Sequence, residues 1–520
     1  MINEPVNKLN VVLVRAPYVI PTSSVFGNQG TPALGLAYLA GTVERLGHNI
    51  TCIDSFAKGI DTFTPIENTN LLINGIPNAE TLSLIPEDTD ILGISCMFSS
   101  DWINTIDLVK VIRQKYPKLI IILGGEHVTA DHEYILTTYK EEVSLCILGE
   151  GEQKLANLLN TCSESLDNLY KAPGITYYNE VSGKVETNPS DYRVKNLETI
   201  PLPKWDGLEL HIFHERLLGM SMIGKRTMPM LLSRGCPYQC TFCSSAKMWT
   251  TRWVARDYYE VIEEIKMYKD LYNINHIDFY DLTAIINKKW TIDFCKEMIR
   301  QEINLTWSLP SGTRSEALTH EVLDLLKKSG CTKITYAPET GSVRMSKLVK
   351  KKVNLKKMLS SMKNAVDVGL IVKANIIFGF PEERAMDRVY NFIFIFRMAL
   401  VGIHDVPCFG FTPYPGSELF DELLEKGVIK RDENYYEFMS NLIYTKPFNN
   451  KSWNDEVSDY MIPCLSLGGM AFFYSLQYLF RPKRFYNLVV NVLKDSPQTM
   501  LEVAFANMYK DFVKGRRFQK

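Results

Sequence analysis

Short apolar runs alternate with helical patterns in the first 160 residues. Five of these runs predict strands: Leu9–Val14, Ile50–Asp54, Ile91–Met97, Leu119–Leu123 and Leu145–Leu148. Helical patterns occupy Ala33–Leu46, Trp102–Lys115, Glu133–Lys140 and Glu152–Leu159. β-Branched runs separated by helices predict βαβ units and a parallel sheet. Five such strands predict an α/β, doubly wound, flavodoxin-like domain over residues 1–160, with its ligand beyond the carboxyl ends of the strands.

The same alternation resumes between residues 227 and 420. The predicted strands are Met228–Leu232, His276–Tyr280, Leu305–Leu309, Lys333–Ala337, Ile371–Phe378 and Val406–Phe411. The predicted helices are Tyr258–Tyr268, Thr291–Glu302, Glu321–Lys328, Leu355–Val368 and Arg384–Leu400. Six parallel strands predict a partial (βα)6 barrel with its functional groups at the carboxyl ends. Residues 161–226, which carry prolines and no sustained period, predict a linker, and residues 421–520 a helical C-terminal domain.

Four turns at the carboxyl ends of the first strands are rich in small and polar residues. They are Gly27–Pro32, Ser99–Asp101, Gly124–His127 and Gly149–Glu152. Glycines let the backbone approach a large ligand closely, although ordinary turns also use them. Four such turns on one rim favour a bound cofactor. The candidate contacts are Ser99, Ser100, Gly124, Gly125, Glu126, His127, Glu150 and Gly151. No G-x-G-x-x-G follows the first strand, so a dinucleotide is not favoured.

A C-x3-C-x2-C run, formed by Cys236, Cys240 and Cys243, follows the first strand of the second block. Cysteine thiolates are the usual ligands of iron–sulfur clusters. Three ligands on a four-iron cluster leave one iron open for chemistry. The alternative is a zinc site, but zinc takes four protein ligands in structural sites, and the next histidine is His276. We therefore predict that these three cysteines bind a [4Fe-4S] cluster.

Composition indicates a cytoplasmic enzyme. The formal net charge is -1, which argues against general nucleic-acid binding. The other eight cysteines are scattered through apolar runs and predict reduced core residues in a reducing compartment. The N-terminal residues carry acidic and polar side chains and begin a strand, unlike a signal peptide.

One stretch near the C-terminus, Met461–Phe480, contains twenty residues without a charge. The segment that follows it, residues 481–520, is basic, with nine Lys or Arg and three Asp or Glu residues. Twenty residues are long enough to span a membrane, but Pro463, Gly468 and Gly469 weaken that interpretation. An interfacial anchor at the inner membrane surface, and a helical domain packed over the barrel, remain as alternatives.

The cysteine run, with Phe242 before the third cysteine and Ser233-Arg234-Gly235 before the first, resembles the radical SAM superfamily. That resemblance implies that the open iron binds S-adenosylmethionine and that cleavage releases a 5′-deoxyadenosyl radical. It also implies that the barrel rim holds this molecule. Phe242 and Gly379–Pro381 would flank the adenine, Glu339 and Arg314 would meet the ribose and carboxylate, and Asp281 the amino group. Ser311 and Thr340 are further candidates on the same rim.

The first region resembles the cobalamin-binding domain of a radical SAM subclass. The turns Leu-Gly-Gly-Glu-His and Leu-Gly-Glu-Gly-Glu, ending at His127 and Glu152, are similar to those of that group. The Asp-x-His-x-x-Gly motif, which supplies a cobalt ligand in cobalamin mutases, is absent. The resemblance therefore implies cobalamin without a histidine on cobalt. A domain that has lost its cobalamin is the alternative.

Together these features predict a cobalamin-dependent radical SAM enzyme that methylates an unactivated carbon of a hydrophobic, lipid-like substrate. The chain also resembles anaerobic magnesium-protoporphyrin monomethyl ester cyclase and hopanoid-type methylases, so ring closure on a tetrapyrrole-like substrate is the alternative. A corrinoid- or cluster-carrying protein without turnover is an alternative of another class. We expect a reductant such as flavodoxin or ferredoxin, no nucleic-acid partner, and peripheral membrane contact through the C-terminal region.

Overall fold

The computed structural model describes residues 6–22, 30–191, 193–221, 224–442, 450–494 and 496–514. Two parallel sheets dominate it, and the helices cover them. The elements up to residue 191 are β1 (Asn10–Arg15), β2 (Tyr18–Pro21), α1 (Leu34–Arg45), β3 (Asn49–Asp54), α2 (Ser55–Lys58), β4 (Phe63–Pro65), β5 (Leu71–Asn74), α3 (Asn78–Ser83), β6 (Ile91–Ser95), α4 (Trp102–Lys115), β7 (Ile120–Gly124), α5 (Glu126–Thr138), β8 (Leu145–Ile147), α6 (Glu152–Glu164), β9 (Ile175–Asn179) and β10 (Lys184–Thr187).

The first sheet has the order β10-β9-β8-β7-β6-β1-β3. Strands β3, β1, β6, β7 and β8 are parallel, and β9 and β10 are antiparallel at one edge. Alternate residues of β1 enter different cores: Val11 and Leu13 pack on one face, and Val12 and Val14 on the other. Burial of both faces explains the continuous apolar runs. The predicted doubly wound sheet is confirmed, with the flavodoxin-like order of its five parallel strands.

Two local expectations differ from the structure. The segment predicted as a linker, 161–226, contains β9 and β10, which extend the first sheet. A short hairpin carries too little sequence period to be separated from a loop by pattern alone. Helix α5 begins at Glu126, not at Glu133, because Gly125 has a φ of 119° and starts the helix there. The predicted domain boundaries themselves stay predictions, and residues 27–29 of the first predicted turn lie outside the described residues.

The second sheet belongs to the barrel. The elements here are α7 (Leu210–Glu215), β11 (Thr227–Met230), β12 (Ser233–Arg234), α8 (Ser245–Trp249), β13 (Val254–Ala255), α9 (Tyr258–Tyr272), β14 (His276–Phe279), α10 (Lys288–Arg300), β15 (Thr306–Thr313), α11 (His320–Lys328), β16 (Cys331–Glu339), α12 (Val343–Leu348), α13 (Leu355–Asp367), β17 (Ile371–Phe378), α14 (Ala385–Val401) and β18 (Cys408–Gly410).

Six parallel strands follow one another in the order β11-β14-β15-β16-β17-β18, as a partial barrel requires. Strands β15 and β16 are longer than predicted. Ser311 and Thr313 therefore lie inside β15, and Glu339 is the last residue of β16 rather than a residue beyond it. Register shifts after Leu309 and Tyr336 accompany this extension. Such irregularities re-aim side chains at a barrel rim.

The C-terminal elements are α15 (Glu418–Glu425), α16 (Glu433–Asn441), α17 (Met461–Phe480), α18 (Pro482–Leu493) and α19 (Met500–Lys514). Helix α17 packs along α14 and β18. Ile462 at its start lies against Gly379, and Arg481 at its end donates to the carbonyl of Ala399 at 2.8 Å, so α17 and α14 run in the same direction. Among the described residues, no helix combines the length and apolarity needed to cross a membrane.

Candidate active site between the two sheets

A cavity of about 700 Å³ lies between the carboxyl ends of the first sheet and the barrel. One wall is formed by the ends of β1, β6, β7 and β8, and the other includes Arg234, Trp249, Tyr280 and Ser311 of the barrel region. This volume is within the range of small-molecule sites. Its position, beyond the carboxyl ends of a doubly wound sheet, is the one the fold predicts for a ligand.

Six of the eight candidate residues of the first rim line this cavity: Ser100, Gly124, Gly125, Glu126, Glu150 and Gly151. Only glycine fits at position 125. A Cβ there would overlap the carbonyl oxygen of Cys96, and the backbone φ of 119° is strained for any residue with a side chain. The absence of side chains at Gly124 and Gly125 leaves backbone at the cavity wall. A large flat ligand can approach such a wall closely.

Ser99 and His127 do not line the cavity. The Ser99 hydroxyl and His127 Nδ1 lie 3.0 Å apart, and the His127 ring packs between Trp102 and Tyr436. Burial lowers the pKa of the His127 imidazole to about 3, so this ring stays neutral. The structure therefore gives both residues a packing role behind the rim.

A buried charge network joins the first rim to the strand that leads into the cysteine loop. Arg234 donates to Glu152 at 2.7 Å and lies 3.4 Å from Glu150. Arg193, from the predicted linker, donates to Glu150 at 2.7 Å. Although burial raises the pKa of the Glu152 carboxyl, the Arg234 guanidinium outweighs burial and holds that pKa below its usual range. Sequence reasoning missed Arg193, because nothing in its local pattern indicates a partner 43 residues away.

A second contact crosses between the domains at the cysteine loop itself. Ser244, directly after Cys243, donates its hydroxyl hydrogen to the carboxylate of Glu126 at 2.5 Å. Glu126 also lines the cavity, and burial raises the pKa of its carboxyl. The loop that carries the cysteines is thus held against the first helix of the glycine-rich rim.

The three cysteines of the predicted cluster site are half-buried in one loop. Thr241, between two of them, donates its backbone N–H to the carbonyl of Val349 at 3.2 Å. Burial raises the pKa of all three thiols, that of Cys243 to about 11. A nearby positive charge is needed to stabilise the thiolate form at neutral pH, and bound iron would supply that charge. No three His, Cys, Asp or Glu side chains in the described part of the chain converge on one metal ion. A cluster does not need such convergence, because each thiolate binds a different iron.

Two buried cations stand beside this loop. Arg314 places its guanidinium 3.7 Å from the centre of the Tyr238 ring and donates to the carbonyls of Lys351 and Lys352. The Lys351 ammonium lies 3.1 Å from the Glu339 carboxylate. Despite the opposing effect of burial, Glu339 and the nearby Cys240 raise the pKa of Lys351. Sequence reasoning assigned Glu339 and Arg314 to this rim and missed Lys351, which lies in an irregular loop between α12 and α13.

The other rim candidates have partners within the protein. Asp281 accepts hydrogen bonds from the Leu232 backbone and the Ser233 hydroxyl, and burial raises its pKa to about 6. The structure thus ties Asp281 to the strand before the cysteine loop, where sequence reasoning had placed it at an amino group of the ligand. The Thr340 hydroxyl donates to Asn391 at 2.9 Å, which indicates a structural role.

The remaining candidates surround the Gly379–Pro381 turn. Gly379 has a φ of 82°, and its N–H donates to Glu383 at 2.7 Å. The Pro381 carbonyl accepts a hydrogen bond from the Asn454 side chain. The Phe242 ring lies 5.5 Å from that of Phe380. Phe242 and this turn therefore adjoin each other, as a shared contact to one ligand requires. Which residues touch each cofactor stays a prediction.

Comparison with known proteins identifies both domains. Residues 26–159 match the B12 binding domain model, and residues 230–393 match the radical SAM superfamily model. The chain thus combines an N-terminal B12-binding domain with a radical SAM domain. Its three cofactors are those expected from the sequence: a [4Fe-4S] cluster, S-adenosylmethionine and cobalamin. The thiol chemistry of the loop and the glycine-lined cavity fit such groups.

Proteins similar to this chain include methylases and a cyclase. The chain is 27% identical to cytidylyl-2-hydroxyethylphosphonate methyltransferase of Streptomyces wedmorensis, over 78% of this chain and 80% of the relative. Anaerobic magnesium-protoporphyrin IX monomethyl ester cyclase of Rubrivivax gelatinosus is 24% identical, over 82% and 72%. Hopanoid C-3 methylase of Methylococcus capsulatus is 25% identical, over 74% and 67%. The resemblance to cyclases and hopanoid methylases inferred from the motifs is confirmed.

A solved structure shows the same fold. The radical S-adenosylmethionine methyltransferase TsrM from Kitasatospora setae, with cobalamin and a [4Fe-4S] cluster bound, matches with a TM-score of 0.60. The match covers 81% of this chain and 75% of that chain at 13% sequence identity. The arrangement of a doubly wound domain followed by a partial barrel is therefore an established one.

Proposed function

We propose that this radical SAM protein transfers a methyl group to an unactivated carbon of a hydrophobic, lipid-like substrate. The observation that carries the proposal is a cavity whose wall includes both the glycine-rich rim and residues Tyr280 and Ser311 of the barrel. When bound, the cluster and S-adenosylmethionine supply a 5′-deoxyadenosyl radical, and methylcobalamin supplies the methyl group. Both must reach one carbon, so their sites must open into one space.

The residues of the cavity give this proposal its substrate class. Beyond the polar rim, its wall is apolar, with Leu39, Met97, Leu155 and Met248 among its lining residues. Such a wall favours apolar ligand surface, which gains about 25 cal/mol for each Å² removed from water. It also excludes water from a reactive radical. The protein's own part is to position the reactants and keep the space dry.

The C-terminal helices support delivery of such a substrate from a membrane surface. Exposed apolar side chains continue along α14, α17 and α18: Met386, Val389, Tyr390, Ile393, Leu400, Leu479, Phe480, Phe485, Tyr486, Val489 and Leu493. Exposed apolar side chains, where they adjoin one another, mark interaction sites. The basic residues contribute less than the sequence suggested, because Arg481 and Arg484 donate to carbonyls at the end of α14.

Cofactor analysis and product analysis test the enzymatic part of the proposal. Protein reconstituted anaerobically with iron, sulfide and hydroxocobalamin should retain cobalamin through gel filtration and release 5′-deoxyadenosine on reduction. Incubation with hopanoid-type lipids should then give a product heavier by one methylene. Cofactor loading without any 5′-deoxyadenosine would instead indicate a carrier protein without turnover.

Ring closure on a tetrapyrrole-like substrate is the second candidate, favoured by the similarity to the magnesium-protoporphyrin cyclase over 82% of this chain. Product mass separates the two reactions, because a methylated product gains carbon and a cyclised one does not. Magnesium-protoporphyrin monomethyl ester and lipids should therefore be offered in parallel. A tetrapyrrole product with an unchanged carbon count would contradict the methylase proposal.

Co-sedimentation with phosphatidylglycerol vesicles tests membrane contact. Deletion of residues 461–520 would also remove the buried side of α17 and expose the surface on which it packs. A point variant on the exposed side is therefore easier to interpret. Leu479, which is 72% exposed, is changed to Glu, and Val181, which is 98% exposed on the β9–β10 hairpin, is changed to Glu as the control. We expect the L479E protein alone to lose vesicle binding. If the wild-type protein stays in the supernatant at low salt, membrane contact is contradicted, and α17 serves only to pack against the barrel.

A further inference from the structure

Strand β16 places polar side chains toward the barrel axis. Ile334 and Tyr336 belong to the apolar core beneath the surrounding helices. Successive side chains of a strand point to opposite faces, so Lys333 and Thr335 point toward the axis. The interiors of (βα) barrels are normally filled by branched apolar side chains. Two polar residues at these positions indicate a lumen that is not simply a packed core.

Strand β17 repeats this pattern beside it. Its buried residues, alternating from Val372 to Phe378, belong to the helix-facing core. Lys373 and Asn375 therefore point inward, and Lys373 pairs in register with Thr335 on β16. We call Lys333, Thr335, Lys373 and Asn375 the lumen group.

The amino-terminal end of the lumen is closed by protein groups. His276 and Asp278 on β14 lie 3.2 Å apart and are both fully buried. The Lys333 ammonium donates to the carbonyls of Ser221 and Gln498, at 3.2 and 3.3 Å. Gln498 lies between α18 and α19, so the C-terminal region seals this end. The polar groups at this depth are satisfied within the protein.

The groups one layer higher are not satisfied. Thr335 is 0% exposed, and its hydroxyl has no hydrogen-bond partner in the described residues. The buried Oδ1 atom of Asn375 likewise has none. The Lys373 ammonium makes no hydrogen bond or ion pair within the same described ranges, although Asp405 attracts it. Asp405 itself accepts a hydrogen bond from Tyr474. Leaving such groups unpaired costs about 1–3 kcal/mol each, so a ligand that pairs them is favoured.

The cavity between the domains reaches the barrel at β14 and β15, next to the strands that carry the lumen group. Tyr280 lies two residues beyond Asp278 on the same face of the β14 chain, and it lines the cavity together with Ser311 of β15. Lys373 and Asn375 are half-buried, whereas their neighbours on β17 that face the helices are fully buried. The inner side of β17 is therefore accessible at Lys373 and Asn375, whereas its helix-facing side is sealed.

We propose that the lumen group binds an anionic oxyacid group of the substrate, a carboxylate or a phosphate, through the Lys373 ammonium and the Thr335 hydroxyl. An ammonium and a hydroxyl both donate to anionic oxygen, and charge-assisted bonds of this kind are the stronger ones. The inference rests on the proposed function, since it adds a polar end to the substrate whose apolar part lies in the cavity. The substrate is then an amphiphile.

Anion binding to the reconstituted holoprotein tests this directly and needs no turnover. Thermal unfolding is followed with inorganic phosphate or acetate, each against chloride at equal ionic strength. We expect one of the two anions to raise the melting temperature of the wild type, and the anion that acts tells phosphate from carboxylate. In Lys373→Met the rise should disappear. In Thr335→Val, which loses one hydrogen bond to the anion, the anion should bind about tenfold more weakly.

Two controls keep the result interpretable. Lys356→Met removes an exposed lysine of α13 and should leave the anion response unchanged. Thr335→Val replaces an unpaired hydroxyl by a methyl group of similar shape, so without anion it should be as stable as the wild type or more stable. No anion response in the wild type, an equal response in Lys373→Met, or an equal loss in Lys356→Met would overturn the inference. Release of 5′-deoxyadenosine by the same preparations reports on the proposed function separately.

Discussion

The two parallel sheets use their strands differently. In the first sheet the central strands β6, β7 and β8 are covered on both faces, so their side chains are almost all apolar and the polar groups follow at their carboxyl ends. In the barrel only the outer face meets helices. Its inner face carries Lys333, Thr335, Lys373 and Asn375, well below the rim. An open sheet can bind a ligand only at its edge, whereas a barrel offers both its rim and its lumen.

The two rims differ as well. The first rim lines the cavity with Gly124, Gly125 and Gly151, and with Glu126, whose carboxylate accepts a hydrogen bond from Ser244. The charged residues of the barrel rim pair with one another, as Glu339 does with Lys351. The first rim is thus shaped for a ligand that lies flat on backbone. The barrel rim is a preorganised set of charges around the cysteine loop.

The largest effect is expected in the cysteine loop. Cys240→Ala removes one of the three thiolates, and we expect the loss of bound iron and of all S-adenosylmethionine cleavage. Cobalamin retention should be unaffected, because Cys240 belongs to the barrel and not to the glycine-rich rim. Iron content, the visible spectrum and 5′-deoxyadenosine release check this. Cys464→Ala, at an exposed cysteine of α17, is the control. Full cleavage by the Cys240→Ala protein would falsify the cluster assignment.

The second largest effect is expected in the charge network of Arg234, Glu150 and Glu152 that joins the first rim to the barrel. Arg234→Gln leaves the buried carboxylate of Glu152 without its partner, and loss of one member of a buried pair costs about 3–5 kcal/mol. Urea unfolding measures this cost. Arg216→Gln breaks an exposed pair with Asp61 and should cost less than about 1 kcal/mol. If the two variants lost equal stability, the network would not hold the domains together. The double variant with Glu152→Gln should recover part of the loss.

A smaller effect is expected at the glycine-rich rim. Gly125→Ala places a Cβ against the Cys96 carbonyl at a φ that alanine avoids, which costs about 1–3 kcal/mol and moves the rim. We expect weaker cobalamin retention through gel filtration, with the cluster intact. Gly468→Ala in α17 is the matched control, since a Cβ there meets nothing within 4 Å and Gly468 lies away from the cavity. If Gly125→Ala bound cobalamin as well as the wild type, cobalamin would not lie against this rim.

The smallest effect concerns His127 and pH. Burial lowers the pKa of the folded-state imidazole to about 3, whereas the unfolded chain titrates near 6.5. The unfolded state therefore binds more protons below pH 6.5, and stability falls as the pH decreases, by up to about 1.4 kcal/mol per pH unit. His127→Gln should flatten this dependence between pH 6.5 and 5 in urea unfolding. The spectrum of bound cobalamin should not change, because His127 lies behind the rim; a changed cobalt spectrum would contradict this.

Sequence pattern predicted the repetitive parts of the fold and the chemistry that is local in the chain. The alternation of runs such as Ile371–Phe378 with helices predicted both parallel sheets, because burial on the helix side imposes a regular period. The cysteine spacing predicted the cluster loop, since all its ligands lie within eight residues. Uncharged Met461–Phe480 was recognised as a helix-length segment, but its packing along α14 was one of three alternatives.

Only the tertiary structure decided which residues meet across long separations. Arg193 and Glu150, Ser244 and Glu126, and Lys351 and Glu339 come together because the domains and loops fold onto each other, and no local pattern encodes such pairs. The inward direction of Lys373 and the burial of His127 depend on which face of an element the neighbouring elements cover. The sequence by itself determined the elements and the cofactor chemistry. The side-chain partners, and with them the shape of the substrate site, were decided by three-dimensional packing, because burial and charge pairing depend on contacts between distant parts of the chain.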